Sequence, residues 1–244
     1  MNKFTFIASV CAALFFAACG DDSSSVEPSL EDSSSSVALS SSSSSAVIPS
    51  SSSVSSPMSS WSGGGAGAIG SMTDSRDGQS YKIVTIGSQT WMAQNLNYET
   101  ANSYCYNDNA SNCTKYGRLY TWAAAKNACP SGWHLPTKAE FETLITAVGG
   151  SSTAGTKLKS TSGWNDCNGK ISNGTDDYSF SALPAGNRNS NEHFYGEGYS
   201  VAFWSSTEEN GGYAYVMDLI DIYDGAEPDR SNVNNGFSVR CVKD

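Results

Sequence analysis

The 244-residue chain has little basic charge, two histidines and no Cys-x-x-Cys pair. Against 24 Asp and Glu it carries 14 Lys and Arg, which gives a formal net charge of −10. Binding to nucleic-acid phosphates depends on Lys and Arg, so the composition argues against a nucleic-acid partner. His134 and His193 are far apart in sequence and no paired cysteines accompany them, so no zinc or other metal site is predicted.

The N-terminal apolar run is too short to cross roughly 30 Å of hydrocarbon as a helix. Residues 1–18 place one basic residue, Lys3, before an apolar core that ends in small residues, which is the pattern of an export signal peptide. Phe16–Gly20, FAACG, resembles a bacterial lipobox, in which Cys19 becomes the lipidated N-terminus. The expected membrane partner is therefore reached through acyl chains on Cys19, and several such chains anchor a protein stably.

Serine fills 22 of the 38 positions from Ser23 to Ser60, and the remaining apolar residues follow neither a helical nor a strand period. Such a segment cannot bury enough apolar surface to offset its ordering entropy, so residues 19–70 are predicted to form a disordered tether. Asp21 and Asp22 resemble the acidic tract that directs some bacterial lipoproteins to the cell exterior. We expect a lipid-anchored protein of the bacterial cell envelope, in the outer membrane and exposed at the surface.

The folded domain is predicted at 71–244. Alternating apolar residues on both sides of Gly87-Ser88 predict a β-hairpin that opens the domain. Gly, Asn and Asp clusters separate later apolar segments, and these segments are predicted to be short strands. They are Phe180–Leu183, Val201–Ser205, Tyr213–Ile222 and Phe237–Val242.

Two helices are predicted between the hairpin and these strands. The first has an apolar stripe that includes Trp122 and is stopped by Pro130. The second begins with the capping box formed by Thr137 and Glu140, continues with one apolar face, and ends at Gly149-Gly150. Two helices followed by an irregular antiparallel sheet indicate the α+β class.

Cysteine use fits an oxidising compartment, where five cysteines of the domain should form disulfides. Cys105 and Cys113 flank a short polar loop and are the natural local pair. Cys129 ends a helical pattern and Cys241 lies in the last predicted strand, and a bond between them would contribute about 4 to 5 kcal/mol by loop closure. Cys167 remains outside both pairs.

The sequence around the first predicted helix resembles the first helix of the C-type lectin-like fold. The matching residues are Thr121, Trp122, Ala125, Cys129, Gly132 and Leu135. The resemblance implies two helices packed on an irregular, mainly antiparallel sheet with long loops. It also implies that Cys129 pairs with a cysteine of the final strand, here Cys241.

More specifically, five ordered blocks resemble the Fibrobacter succinogenes major paralogous domain. They are DGQSYKIVTIGSQTWMAQNLN, KYGRLYTWAAAKNACPSGWHLPT, FSALPAGNR, FWSSTE and GFSVRCV. The resemblance covers essentially all of 71–244 and extends to the signal and Ser-rich tether. It implies an exported protein and a distant relationship to formylglycine-generating-enzyme-type domains, and it implies no particular activity.

Calcium-dependent sugar binding in C-type lectins uses Glu-Pro-Asn followed by Trp-Asn-Asp. This chain has Trp164–Asp166 as WND and Glu227–Asp229 as EPD, in the opposite order. Oxygen-rich loops suit Ca²⁺, but the reversed order means that the family's ligand set cannot be carried over. Ordinary turn residues explain both triplets better than a calcium site does, so no cofactor is predicted, and calcium is the alternative.

Enzymatic alternatives have weaker support from the residues. A formylglycine-generating-oxidase-like reaction needs a reactive cysteine pair, whereas Cys241 is better explained by its structural bond. His134 has no nucleophile motif nearby and is expected to be a packed or surface residue. A glycoside hydrolase needs two carboxylates at a set distance, which a sequence cannot measure. The candidate acid pairs are Asp176 with Asp177 and Asp218 with Asp221.

The segment from Asn187 to Asn235 holds seven Asn, five Tyr and five Gly, a composition typical of adaptable binding loops. Trp204 sits inside an apolar strand and is expected in the core. The candidate ligand-binding residues are Tyr195, Tyr199, Tyr213, Tyr223 and Asn187. The predicted function is a lipoprotein displaying a non-catalytic domain that binds a glycan or a surface protein. The alternatives are a secreted enzyme of either class above, or a structural coat component of the cell surface.

Overall fold

The computed structural model describes residues 67–167 and 169–244. The predicted signal peptide, the lipidation site Cys19 and nearly all of the predicted tether lie outside the described residues. Within the described ranges, no helix has the length and apolar character needed to cross a membrane.

The described chain is mixed α+β. The strands are β1 Ile69–Thr73, β2 Ser80–Ile86, β3 Gln89–Met92, β4 Ser103–Tyr104, β5 Leu119–Tyr120, β6 Trp133–His134, β7 Ala185–Arg188, β8 Phe194–Glu197, β9 Ser200–Glu209, β10 Tyr213–Ile220, β11 Glu227–Asn232 and β12 Val242–Lys243. The helices are α1 Ala110–Tyr116, α2 Trp122–Ala125, α3 Lys138–Ala147 and α4 Ser151–Leu158, with a 3-10 turn at Tyr106–Asp108. The first strand starts two residues before the predicted domain boundary at 71.

One five-stranded sheet has the order β1-β2-β3-β12-β6, and all its neighbours are antiparallel. The predicted hairpin is confirmed, because Ile86 pairs with Gln89 across a two-residue turn. The first turn residue, Gly87, has φ +60, which suits a residue without a Cβ. Strand β12 brings the end of the chain between β3 and β6, so the sheet joins both ends of the domain.

The second five-stranded sheet has the order β11-β10-β9-β7-β8. Its pairs are antiparallel except β7 with β9, where Gly186 pairs with Val201 in parallel. The predicted α+β class with mainly antiparallel sheets is therefore confirmed. Strand β9 is buried from Val201 to Ser205, so this half of the strand carries the centre of the core, with Phe203 and Trp204 fully buried.

The second predicted helix, α3, begins as expected. The Thr137 hydroxyl accepts from the Glu140 N–H, and the Glu140 carboxylate accepts from the Thr137 N–H at 2.7 Å. The helix ends just before Gly149-Gly150, both at positive φ. Its apolar face packs on the core, where the Phe141 ring stacks on Trp91 at 5.4 Å between centroids.

The first predicted helix is shorter than expected, because α2 makes a single α-helical turn and the backbone then continues with 3-10-type hydrogen bonds. Ala128 N–H donates to the carbonyl of Ala125, three residues back, so the α pattern stops before Cys129. Two further helices, α1 and α4, were not predicted, since short polar segments carry little apolar periodicity. The described residues thus contain four α-helices where the sequence predicted two.

The predicted strand Phe180–Leu183 is wrong for most of its length. The Arg240 guanidinium donates hydrogen bonds to the carbonyls of Phe180 and Ser181. Of these four residues, only Ala182 forms a β-bridge, and its partner is Lys159. The predicted strand at Phe237–Val242 likewise shrinks to isolated bridges followed by β12.

Both expected disulfides are present. Cys105 bonds to Cys113, and Cys129 bonds to Cys241 across a separation of 112 residues. The second bond ties the segment after α2 to the residue that precedes β12. Cys167 is 1% exposed, and its backbone pairs with Lys170 in a tight turn.

A shallow candidate binding site between two loops

The five candidate ligand-binding residues do not meet in one place. Tyr213 begins β10 and Tyr223 follows its end, so roughly 23 Å of strand separates them. Tyr199 lies at the Tyr223 end, since its carbonyl accepts from the Asp221 N–H at 2.8 Å. Asn187 and Tyr195 are direct partners in the β7–β8 pair.

Tyr195 lines an open depression of about 630 Å³ on the surface of the domain. The lining residues are Asn107, Asp108, Glu192, His193, Phe194 and Tyr195. One wall comes from the loop closed by the Cys105–Cys113 disulfide, and the other comes from the β7–β8 hairpin. Two sequence predictions, the local disulfide loop and the Tyr/Asn-rich segment, therefore converge here.

The disulfide-loop wall is shaped by left-handed backbone. Asn107 and Asp108 have φ of 53 and 52, a conformation that Asn and Asp tolerate better than other side chains. Asn109 then caps α1 by accepting from the Ser111 N–H at 3.0 Å. The Asn112 amide donates to the Tyr106 carbonyl at 3.0 Å, so the loop is held on both sides of the exposed pair.

The hairpin wall is a tight turn between β7 and β8. Asn189 N–H donates to the His193 carbonyl at 2.8 Å, and Glu192 N–H donates to the Asn189 carbonyl at 2.9 Å. Glu192 has φ 72, which is costly for a side chain of this kind. Its carboxylate lies 3.4 Å from the Arg188 guanidinium. Strained backbone of this kind concentrates at functional sites, and Glu192 is one of the residues that line the depression.

Aromatic contacts join the two walls beneath the depression. The Tyr106 ring lies 5.3 Å from Phe194, and the Arg188 guanidinium lies 3.9 Å over the Tyr104 ring. Gly186 permits this approach, because a Cβ there would come within 2.6 Å of the Tyr106 ring. Burial, partly offset by a hydrogen bond from the Glu197 N–H, raises the pKa of Tyr106 above its usual value.

The floor and rim present aromatic and hydrogen-bonding groups. The His193 and Tyr195 rings meet edge to face at 6.5 Å, and the Asn107 amide can both donate and accept. Asp108 and Glu192 are exposed acceptors on opposite walls. The depression is open and shallow, so it offers stacking and hydrogen bonding and little exclusion of water.

Five of the six lining residues were not predicted from the sequence as ligand contacts. Asn107 and Asp108 belong to the polar loop between Cys105 and Cys113, and their Asn-Asp character was the available signal. Glu192, His193 and Phe194 directly precede the predicted Tyr195. Nothing in the sequence shows that the two loops meet, because that contact depends on how β8 packs against the 3-10 turn.

His134 has a structural place outside this depression. Its Nδ1 lies 2.6 Å from the Asp244 carboxylate and its Nε2 lies 2.8 Å from the Glu140 carboxylate. Burial opposes ionisation, but the hydrogen bonds to Asp244 and Glu140 outweigh it and raise the pKa of His134. The imidazole thus links the first turn of α3 to the residue after β12.

The other acidic candidates and the residues of the triplets considered for calcium also lie outside the depression. Asp176 accepts from the Ser181 N–H at 2.7 Å and serves a turn, while Asp221 is 2% exposed. Trp164 is buried, and its indole N–H donates to the Ala182 carbonyl at 3.0 Å. Within residues 67–167 and 169–244, no three His, Cys, Asp or Glu side chains form a group able to hold a metal ion.

A family model described as the Fibrobacter succinogenes major domain matches residues 84–243. No curated protein and no solved structure matches the chain. The matched range runs from β2 to β12 and contains both walls of the depression. The chain therefore belongs to the Fibrobacter succinogenes major domain family.

Proposed function

We propose that the protein is a cell-envelope lipoprotein whose folded domain binds a glycan, without catalysis, in the depression between the disulfide loop and the β7–β8 hairpin. The observation that carries the proposal is the position of Tyr195. The sequence composition predicts this residue as a ligand contact. Its ring lines the depression beside His193, and the acceptors of the other wall lie opposite.

The chemistry of the depression favours a sugar over an apolar small molecule. An aromatic ring offers an apolar face to a pyranose, while amide and carboxylate groups satisfy its hydroxyls. Small-molecule sites usually enclose most of their ligand, whereas this depression is open. An open site suits one or a few units of a long polymer, which continues beyond the protein on both sides.

We assign the domain to the C-type lectin-like class within this proposal. Its support is the bond from Cys129 to Cys241 immediately before the last strand, together with the capped helix α3 and two mainly antiparallel sheets.

The envelope location rests on the export pattern of residues 1–18 and the lipobox around Cys19. The two disulfides agree with an oxidising compartment. A Cys19→Ala variant should remain unacylated and should leave the membrane fraction of cells. Unchanged partitioning of this variant into membranes would remove the anchor from the proposal.

A glycan array tests the binding function directly, with the full-length protein in detergent micelles. Tyr195→Ala should abolish binding, whereas Tyr213→Ala, which removes an exposed tyrosine outside the lining of the depression, should leave it intact. A parallel array with EDTA reports whether calcium is needed. Binding to no glycan would contradict the function, and equal losses in both variants would place the ligand elsewhere.

A further inference from the structure

We infer that the glycan bound in the depression carries free amino groups, as oligomers of unacetylated glucosamine do. The inference rests on the proposed function and names the ligand class of the same site. Its basis is the joint presence of two opposed carboxylates and aromatic rings in a depression whose described lining contains neither Lys nor Arg.

The charge of the lining selects against acidic sugars. Asp108 and Glu192 face the depression from opposite walls, and both are exposed. The nearby cation, Arg188, already contacts Glu192 at 3.4 Å and the Tyr104 ring at 3.9 Å, and its side chain is 13% exposed. A uronate, sulfate or sialate would therefore meet like charge and find no exposed cation in the lining.

The charge of the whole chain acts in the same direction. A formal net charge of −10 repels polyanions and attracts polycations at low ionic strength. Neutral sugars gain nothing from this field. A polymer with an ammonium group on each unit gains from the field and from direct pairing.

The geometry places complementary groups for a single amino sugar unit. The Tyr195 ring, which the His193 ring meets edge to face, supplies the stacking surface, and an ammonium group on the sugar can donate three hydrogen bonds. The carboxylate of Asp108 can accept such a bond from one wall, and that of Glu192, which also contacts Arg188 at 3.4 Å, can accept from the other. Charge-assisted bonds of this type are stronger than neutral ones. Since both carboxylates are exposed, each pair raises affinity only about 1.4- to fivefold, so one site binds weakly and repeated units raise avidity.

Lysine side chains share the ammonium group, but a lysine peptide lacks the flat pyranose face that the Tyr195 ring would cover. We therefore favour the amino sugar over a basic peptide. The two sources are separated by comparing a glucosamine hexamer with a lysine pentamer as probes.

The test is titration of the full-length protein with three hexamers of equal length: glucosamine, N-acetylglucosamine and glucose. At pH 6 and low salt, the glucosamine hexamer should bind about two- to thirtyfold more tightly than the two neutral hexamers, and this preference should shrink at high salt. Asp108→Asn and Glu192→Gln should each lower the preference severalfold, measured within each variant as the ratio of its affinities for the glucosamine and N-acetylglucosamine hexamers. Glu227→Gln, on the exposed strand β11, is the matched control and should change nothing.

The outcomes separate this inference from the proposed function. Equal binding of all three hexamers, lost in Tyr195→Ala, would overturn the amine preference and keep glycan binding. Tighter binding of the lysine pentamer than of the glucosamine hexamer would overturn the sugar assignment. A glucosamine preference that survives both carboxylate substitutions would overturn the role of Asp108 and Glu192.

Discussion

The guanidinium of Arg240 donates from Nε to the amide oxygen of Asn95 at 2.8 Å, although 145 residues separate them. Arg240 is 1% exposed and also donates to the carbonyls of Phe180 and Ser181. The Asn95 amide in turn donates to the Tyr116 carbonyl at 2.8 Å. This pair therefore joins the segment after β3, the end of α1 and the residues before β12 through a fixed polar network.

Arg240→Lys should destabilise the domain strongly although it keeps the positive charge. Lysine cannot reproduce the planar fork that reaches Asn95 and the two carbonyls, so buried acceptors lose their partners. We expect a loss of about 3 to 5 kcal/mol in the free energy of unfolding, measured by urea denaturation. Arg230→Lys, at a surface pair with Glu209, is the control and should change stability by about 0.5 kcal/mol or less. A similar small change in Arg240→Lys would contradict the role of the fork.

Much of the local structure follows from the sequence, because it depends on neighbouring residues. The hairpin at Gly87, the capping box of Thr137 and the Cys105–Cys113 bond are all of this type. The sequence pattern predicts that Phe180 and Ser181 belong to a strand, but their carbonyls accept hydrogen bonds from the distant Arg240. The periodicity of apolar residues carries no information on such a long-range hydrogen-bond partner. For the same reason, the sequence did not predict that the disulfide loop forms one wall of the depression.

The two disulfides should contribute unequally to stability. In the chain-entropy model, closing the loop from Cys129 to Cys241 contributes about 5 kcal/mol, and closing the loop from Cys105 to Cys113 contributes about 2.5 kcal/mol. The paired substitution Cys129→Ala with Cys241→Ala should therefore lower the free energy of unfolding about twice as much as the paired substitution at 105 and 113. Urea denaturation of both variants measures this ratio.

The smaller disulfide should matter more for the ligand than for the fold. Its loop carries one wall of the depression, so the variant lacking Cys105 and Cys113 should stay folded and bind the glucosamine hexamer at least severalfold more weakly. Intact binding by that folded variant would show that the wall does not contribute.

The imidazole of His134 gives stability a dependence on pH. Both ring nitrogens face carboxylates, so only the protonated ring donates to Asp244 and Glu140 at once. The folded pKa of His134 is raised, so its contribution is present below about pH 6.5 and is lost as the pH rises through the folded pKa. The pKa of Glu140 is lowered, with burial opposed by hydrogen bonds from Thr137 and His134, so its contribution is lost in acid.

His134→Gln should therefore reduce stability near pH 5.5 by about 0.5 to 1 kcal/mol and have a smaller effect near pH 8.5, because the ring is partly exposed. Thermal unfolding at both pH values measures the difference. His193→Gln removes the other histidine of the chain and should not reproduce the pH dependence. Equal losses from His134→Gln at both pH values would show that packing, and not charge, carries its effect.

Asp218 should lower stability above neutral pH. Burial first, and the charge of Asp229 second, raise the pKa of Asp218 to about 7. The unfolded chain ionises this group near pH 4, so folding becomes less favourable as the pH rises from about 4 to 7. Asp218→Asn removes the ionisation and should raise the free energy of unfolding by about 1 to 3 kcal/mol at pH 8, with little gain at pH 4. Asp229→Asn should give a smaller gain, because it removes only the second cause. Urea denaturation from pH 4 to pH 8 measures the free energy of unfolding of each variant. The same pH dependence in wild type and Asp218→Asn would contradict the raised pKa of Asp218.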